Sequence, residues 1–234
     1  FKEMGPIRDG SGNPTGEFAR FHCFDPFEFF TADEMAKAER HMISAMWRVQ
    51  REALSFGITS FHDVQLYKGF YPYLLKFKEQ GGFDRMRATS AFYIGPGMYK
   101  NIEKLTEDLE WWTSLADAEH SDEHLMLGKS VKFYIDGVSS NNTSFLFEPF
   151  TNDPTTTGVP DWTQEDFDKV VSLVDSMKIQ ACTHSCGDAG ANRVINSYEA
   201  SIKANPAWDR RHRLDHCELP IAADQARMAA LGLI

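Results

Sequence analysis

From Thr31 to Leu231 the apolar residues follow two alternating rhythms, a three-to-four-residue spacing and short continuous runs, which read as helices and strands in turn. Thr31 followed by Glu34 has the spacing of a capping box, and Met35, Ala38, Met42, Ala45, Val49 and Ala53 then fall on one helical face. Gly57 suits the end of that helix, and Ile58 to Val64 reads as a short strand. The punctuation then repeats. A helix over about Tyr71 to Gln80 precedes a strand from Arg87 to Ile94, and a helix marked by Ile102, Leu105, Leu109, Trp112 and Ala116 precedes a strand from Ser130 to Ile135. Thr163 caps a helix with Phe167, Val170, Val171 and Val174 inward, and the strand Lys178 to Thr183 follows. A helix from Ala189 to Ala204, a strand from Arg213 to Cys217 and a helix from about Ala222 to Leu231 complete the series. The first thirty residues differ, being rich in Gly, Pro and Phe. Their cluster Asp9-Gly10-Ser11-Gly12-Asn13-Pro14 predicts a hairpin or loop.

Five strand–helix units imply a parallel sheet with helical cover. Two architectures fit: a doubly wound open sheet, or part of a (β/α)8 barrel. No GxGxxG follows a strand, which weighs against the dinucleotide-binding version of the first. In a barrel the functional residues lie at the C-terminal ends of strands, and the polar residues of these strands do lie there. Residues 1–30 are therefore expected to be a loop or hairpin segment of an insert or a β-rich part, and residues 31–234 a partial barrel.

Composition removes some functions. With 24 basic and 34 acidic side chains the formal charge is −10, the wrong sign for binding phosphate backbones. No stretch approaches the ~20 apolar residues that span a bilayer, and the first residues do not read as a signal peptide. Cys23, Cys182, Cys186 and Cys217 show no CxxC spacing. Three of them fall in or beside strands, where free buried thiols are common, so a reducing cytoplasm is the expected compartment.

Three strands end on candidate metal ligands: Lys132 in Val131-Lys132-Phe133-Tyr134, His184 in Thr183-His184-Ser185, and His216 in Asp215-His216-Cys217. A lone strand histidine is more often a hydrogen-bonded core residue than a ligand. Two on successive strands, after a lysine inside a strand, shift the balance, because parallel neighbours converge on one rim. A buried ammonium costs several kcal/mol unless it is paired, so Lys132 needs an account. It either forms a salt bridge, for instance to Asp136, or burial depresses its pKa until the neutral amine adds carbon dioxide. The resulting carbamate is an anionic oxygen ligand able to bridge two divalent cations.

At this point the residues acquire a family likeness. Val131-Lys132-Phe133-Tyr134-Ile135-Asp136-Gly137, His184-Ser185-Cys186-Gly187-Asp188 and Arg213-Leu214-Asp215-His216-Cys217-Glu218 resemble three ordered blocks of the amidohydrolase superfamily, nearest its YtcJ-like or N-substituted formamide deformylase branch. Gly57-Ile58-Thr59-Ser60-Phe61-His62-Asp63 resembles that group's second strand, and Arg8-Asp9 with Gly12-Asn13-Pro14-Thr15-Gly16 the turn before it. The resemblance spans most of the chain, and five blocks in the right order make it specific.

It implies a (β/α)8 TIM-type barrel, here incomplete, with about strands 2 to 6 and their helices, and a small β-rich second domain in the complete protein. It makes Lys132 a bridging, carboxylated ligand on the fourth strand, with His184 and His216 as ligands from the fifth and sixth. The family's first-strand His-x-His pair and eighth-strand aspartate, the expected general base, have no counterpart, so no catalytic residue is assigned within this segment. A seventh strand is expected to begin at Leu233-Ile234, and the missing barrel segments to be needed for folding. Ser185-Cys186 stands where the family has a small apolar pair, and Ala189 replaces an arginine that often follows the Gly-Asp. These departures leave the metal assignment standing and substrate recognition open.

The implied activity is metal-dependent hydrolysis of an amide-like or other C–N bond of a small molecule, through water activated by one or two divalent ions. Zinc comes first and manganese or iron are the alternatives. Two other readings stay open: an inactive barrel relative with a binding or regulatory role, and a non-hydrolytic enzyme such as an isomerase on the same scaffold. A homo-oligomer is compatible with either. His62, Asp63 and Asp136 are weaker candidates for supporting the ligands, and Asn141 and Asn142, in the phenylalanine-rich segment Ser139 to Phe150, for contacting substrate. His22, His41, His120, His124 and His212 read as loop or exposed helix residues without a role.

Overall fold

The computed structural model describes residues 6–18, 30–99, 101–117 and 124–234. The chain divides into two compact units, 1–49 and 50–234. His22, Cys23 and His120 lie outside the described residues. In the first unit, β1 (Pro6–Arg8) and β2 (Pro14–Phe18) pair antiparallel. The Asp9 carboxylate accepts the backbone N–H groups of Ser11 and Asn13, each at 2.9 Å. Gly12 supplies the left-handed residue of the turn with φ +85°. Helix α1 (Ala32–Ser55) starts with the expected reciprocal cap: Thr31 N–H donates to the Glu34 carboxylate at 2.8 Å, and Glu34 N–H to Thr31 Oγ1 at 3.3 Å.

In the second unit the strands β3 (Ser60–Leu66), β4 (Arg87–Tyr93), β5 (Leu125–Tyr134), β6 (Gln180–Ser185) and β7 (Arg213–His216) form one parallel sheet in the order β3-β4-β5-β6-β7. Between them run α2 (Tyr71–Glu79), a short α3 (Pro96–Tyr99), α4 (Ile102–Asp117), α5 (Gln164–Ser176) and α6 (Asp188–Ala204), with α7 (Ala222–Leu231) last. Strand order follows chain order without reversal, as in a barrel. A doubly wound sheet reverses at its switch point.

Side-chain contacts show the curvature. A flat sheet would hold β3 and β7 about 19 Å apart. Here His62 of β3 lies 3.1 Å from Arg213 of β7, and Tyr134 of β5 donates to Gln65 of β3 at 2.7 Å. The five strands are a sector of a closed barrel, an incomplete (β/α)8 fold. Ile234 extends it, exchanging backbone hydrogen bonds with Leu214 (2.8 Å) and His212 (3.0 Å) beside β7. Alternation then assigns the faces. Val131, Phe133 and Ile135 are buried on the helical side, where the Phe133 ring packs edge-on against Trp162 and Phe167. Lys132, Tyr134, Cys182 and His184 face the interior.

Three departures from the local pattern have physical causes. Strand β5 begins five residues earlier than its apolar run, because a register shift against β4 between Ser90 and Phe92 absorbs the polar break around Lys129. Strand β6 ends at Ser185, so His184 is part of the ladder. His212 is neither exposed nor idle: fully buried, it accepts Ala181 N–H at Nδ1 (3.0 Å) and donates from Nε2 to Asp175 (3.1 Å). Among the described residues no helix is long and apolar enough to cross a membrane.

Thr163 caps α5 as its sequence predicts, accepting Asp166 N–H at 3.1 Å. Thr163→Ala is expected to lower stability by about 1 kcal/mol, read as an earlier urea midpoint at unchanged m-value. An unmoved midpoint would mean that the first turn is held by packing alone.

Candidate functional site

The site forms where β5, β6 and β7 end together. Register pairs Tyr134 with His184, His184 with Asp215 and Ser185 with His216, while Lys132 pairs with Cys182 one pleat lower. Simple alternation would turn Asp215 inward and His216 outward. Instead His216 and Cys217 both adopt left-handed backbone, φ +70° and +45°, and Cys217 N–H is caught by the Ser185 carbonyl at 2.9 Å. Two successive non-glycine residues in this region carry strain of the kind that collects at functional sites. The consequence here is that both side chains reach the interior: Asp215 meets Lys132, and the His216 ring meets the His184 ring edge-on at 4.6 Å.

The protonation state of His184 follows from its contacts. Its Nε2 lies 2.8 Å from the Gly137 carbonyl. A carbonyl only accepts, so Nε2 carries the hydrogen and Nδ1 the lone pair. That lone pair has no hydrogen-bond partner among the described residues. Burial drives the imidazole pKa down to about 4, opposed by the Gly137 carbonyl and reinforced by His216 and Lys132. His184 is a neutral donor with a fixed tautomer, packed at 4.8 Å against the Tyr134 ring. His216 is exposed, and its ring nitrogens have no hydrogen-bond partner among the described residues.

Lys132 is 1% exposed and forms an ion pair with Asp215, not with Asp136. Its ammonium also lies 5.1 Å from the centroid of the Tyr134 ring. Burial pulls the amine pKa below its usual range, and Asp215 works against that. Burial would raise the Asp215 carboxyl, but the Lys132 contact and then Arg213, whose Nε is 2.8 Å away, hold it below the carboxylate norm.

Asp136 has a different task. Fully buried, its carboxylate accepts backbone N–H groups from Phe145 (2.9 Å), Cys186 (3.0 Å) and Gly187 (2.8 Å). Asp136, His184 and Cys186 have potential ligand atoms within 4.8 Å of one another, but the chemistry argues against this trio as a cation site. The carboxylate already accepts three backbone N–H groups, Nε2 holds a hydrogen, and the Cys186 thiol pKa is pushed up to about 12 by burial, then by Asp136 and Glu218. The trio instead fixes the turn that presents His184.

The other sequence candidates lie apart from the imidazole pair. His62 is bound through Nδ1 to Thr89 (2.6 Å) and through Nε2 to Arg213. Asp63 accepts Gln65 N–H at 3.0 Å. Asn141 is exposed, and Asn142, with φ +54°, closes a 3-10 turn over Ser139–Asn141. Among the described residues none of the four forms a hydrogen bond or ion pair with His184 or His216. Sequence reasoning passed over Asp215 and the Gly137 carbonyl. Strand alternation admits either Asp215 or His216 to the interior, and only the left-handed backbone at His216 and Cys217 admits both.

The fit to a divalent cation can be judged from these donors. Two imidazoles in ring contact, one with its lone pair fixed by a carbonyl behind it, suit a borderline metal. Lys132 as an ammonium offers no lone pair, and it fits only after losing its proton.

A model of the amidohydrolase family matches residues 3–234. Protein LONG AFTER FAR-RED 3 of Arabidopsis thaliana is 25% identical over 231 residues, covering 97% of this chain and 38% of that protein. YtcJ of Bacillus subtilis (strain 168), whose name places it among the amidohydrolases, is 23% identical over 219 residues, 91% of this chain and 37% of YtcJ. Among solved structures, an uncharacterized metal-dependent hydrolase from Pyrococcus furiosus superimposes with TM-score 0.65 at 18% identity, over 88% of this chain and 38% of that one. Another from Pyrococcus horikoshii OT3 gives 0.66 at 17%, over 83% and 36%. At such identities the structures speak to the fold. The chain spans less than two fifths of the length of each of these proteins. Matched along nearly its whole length by the family model, the chain belongs to the amidohydrolase family, as a relative of YtcJ.

Proposed function

We propose that the intact protein hydrolyses an amide-like or other C–N bond of a small molecule at the mouth where His184 and His216 meet. A divalent cation, zinc first, would be held there by the two imidazoles. The observation that carries this reading is the His184–His216 ring contact at 4.6 Å with the His184 Nε2–H engaged by Gly137. Such a cation supplies Lewis-acid polarisation of a carbonyl and activation of water at neutral pH.

The chain's own residues supply the rest. Gly137 orients His184, burial keeps it neutral, and the left-handed turn at His216 brings in the second donor. Lys132 would join after its ammonium loses one proton and the free amine adds to the carbon of carbon dioxide, forming an N–C bond at the expense of one C=O π bond; loss of a second proton from that nitrogen to solvent would leave an anionic carbamate. Burial already shifts the first deprotonation equilibrium toward the neutral amine, against the pull of Asp215. Asp215 keeps an arginine partner in either state, because Arg213 contacts its second oxygen.

The test is metal analysis of the intact protein, coupled to hydrolysis of a panel of N-acyl amines. Wild type should retain divalent metal after dialysis, and His184→Ala should lose both metal and turnover. His184→Ala with unchanged metal and rate would remove the site. Lys132→Ala with both intact would remove the lysine alone.

A further inference from the structure

The rings at the strand ends form one continuous arc. Phe70 contacts Tyr67 (centroids 5.9 Å), Tyr67 contacts Tyr93 (5.0 Å), Tyr93 contacts Tyr134 (5.9 Å), Tyr134 contacts His184 (4.8 Å) and His184 contacts His216. Tyr67 directly follows β3, and Tyr93, Tyr134 and His216 are the last residues of β4, β5 and β7, with His184 next to last in β6. A group held at the imidazole pair therefore has an aromatic wall on its β5 side. Tyr93 is buried as the support of that wall, while Tyr67, Phe70 and Tyr134 remain partly exposed.

One residue fixes the wall. Tyr134 Oη donates to Gln65 Oε1 at 2.7 Å, and Gln65 Nε2 donates to Tyr67 Oη at 2.6 Å. Gln65 is itself set by Asp63, which accepts its N–H, at the register shift of β3 between Asp63 and Leu66. Tyr134 gives its hydroxyl hydrogen to the amide and Tyr67 accepts one from it, so a single side chain holds both rings in place. Ring surface prefers a planar partner, stacked or edge-on.

We infer that Tyr67 and Tyr134, locked by Gln65, form the specificity wall of this site and select C–N substrates bearing a planar apolar substituent, an aryl ring above all. This rests on the hydrolytic reading for the word substrate, but its test does not. Benzamide and cyclohexanecarboxamide match in polar group and nearly in apolar area, and differ in planarity. Calorimetric titration of the intact protein should show benzamide binding about three- to tenfold more tightly. Tyr67→Leu should bring the ratio close to one with the melting temperature little changed, and Tyr67→Phe, which keeps the ring, should retain the preference.

Equal affinities in wild type overturn the inference without reference to any variant. So does failure of either amide to bind, and so does an undiminished preference in Tyr67→Leu. Hydrolysis of N-benzylacetamide and N-(cyclohexylmethyl)acetamide separates the two claims. A planar preference in binding without turnover sinks the hydrolytic reading and leaves the wall. Turnover of both at equal kcat/KM removes the wall and leaves the hydrolase.

Discussion

Asp175→Ala is expected to lower the unfolding free energy by about 3–5 kcal/mol. The carboxylate is 1% exposed and receives Arg210 Nε (2.7 Å), Trp208 Nε1 (2.8 Å), Asn205 Nδ2 (2.9 Å) and His212 Nε2 (3.1 Å). All four donors lie on the connection from α6 into β7, so one side chain from the end of α5 closes the loop that delivers Asp215 and His216. Alanine leaves a largely buried guanidinium without its counter-charge and the Trp208 and His212 donors without this acceptor, while Asn205 Nδ2 keeps the Ser172 carbonyl. The pH dependence follows with a definite sign. Burial raises the Asp175 carboxyl, but Arg210 and the neutral donors overcome it and hold the pKa below normal. Burial lowers the His212 imidazole, against the opposing pull of Asp175. Both groups thus bind protons more weakly folded than unfolded. Their contributions are complete above the ordinary imidazole and carboxylate values, about 6.5 and 4. They fade as pH falls below each. Urea unfolding at pH 7.5 and pH 5 should show wild type weakening toward acid and the variant weak at both. A variant within about 1 kcal/mol of wild type at pH 7.5 would defeat this account.

Local rules read the elements well, and for a physical reason. The Thr31–Glu34 and Thr163 caps, the helical spacing of Phe167 to Val174, and the strand ends at Lys132, His184 and His216 are all decided within a few residues of chain. Parallel strands then force three distant ends to one rim, which is why the imidazole contact was foreseeable. The partners were not. Lys132 finds Asp215, 83 residues away, because barrel curvature brings β5 and β7 together across β6. Asp136, close in sequence, is turned instead toward three backbone N–H groups. His212 looked like a loop residue because its burial depends on Asp175, in another element. The left-handed backbone at His216 has no glycine to announce it, so the turn that brings two adjacent side chains, Asp215 and His216, to one face is not legible in the sequence. The tyrosine arc was invisible for a further reason: Tyr67, Tyr93 and Tyr134 are widely spaced in the chain, and Gln65 carries no motif.

The Lys132–Asp215 pair should respond asymmetrically to mutation. Asp215→Ala strands an ammonium that is 1% exposed and should cost about 3–5 kcal/mol. Lys132→Met leaves Asp215 with Arg213 Nε at 2.8 Å and puts a flexible apolar side chain among Cys182, Tyr134 and Tyr93, so the loss should stay within about 1.5 kcal/mol. The double variant should recover most of what Asp215→Ala loses, because the stranded charge is gone, and the double-mutant cycle should report a coupling of about 2 kcal/mol or more. This asymmetry bears on function. If a methionine serves the core nearly as well, packing does not explain a lysine at this position, and the amine must be there for chemistry at the mouth. Chemical denaturation of the three variants decides it. A severe Lys132→Met beside a mild Asp215→Ala would show that Lys132 is a structural cation held by the interior as a whole, and its place beside the imidazole pair would then carry no catalytic meaning.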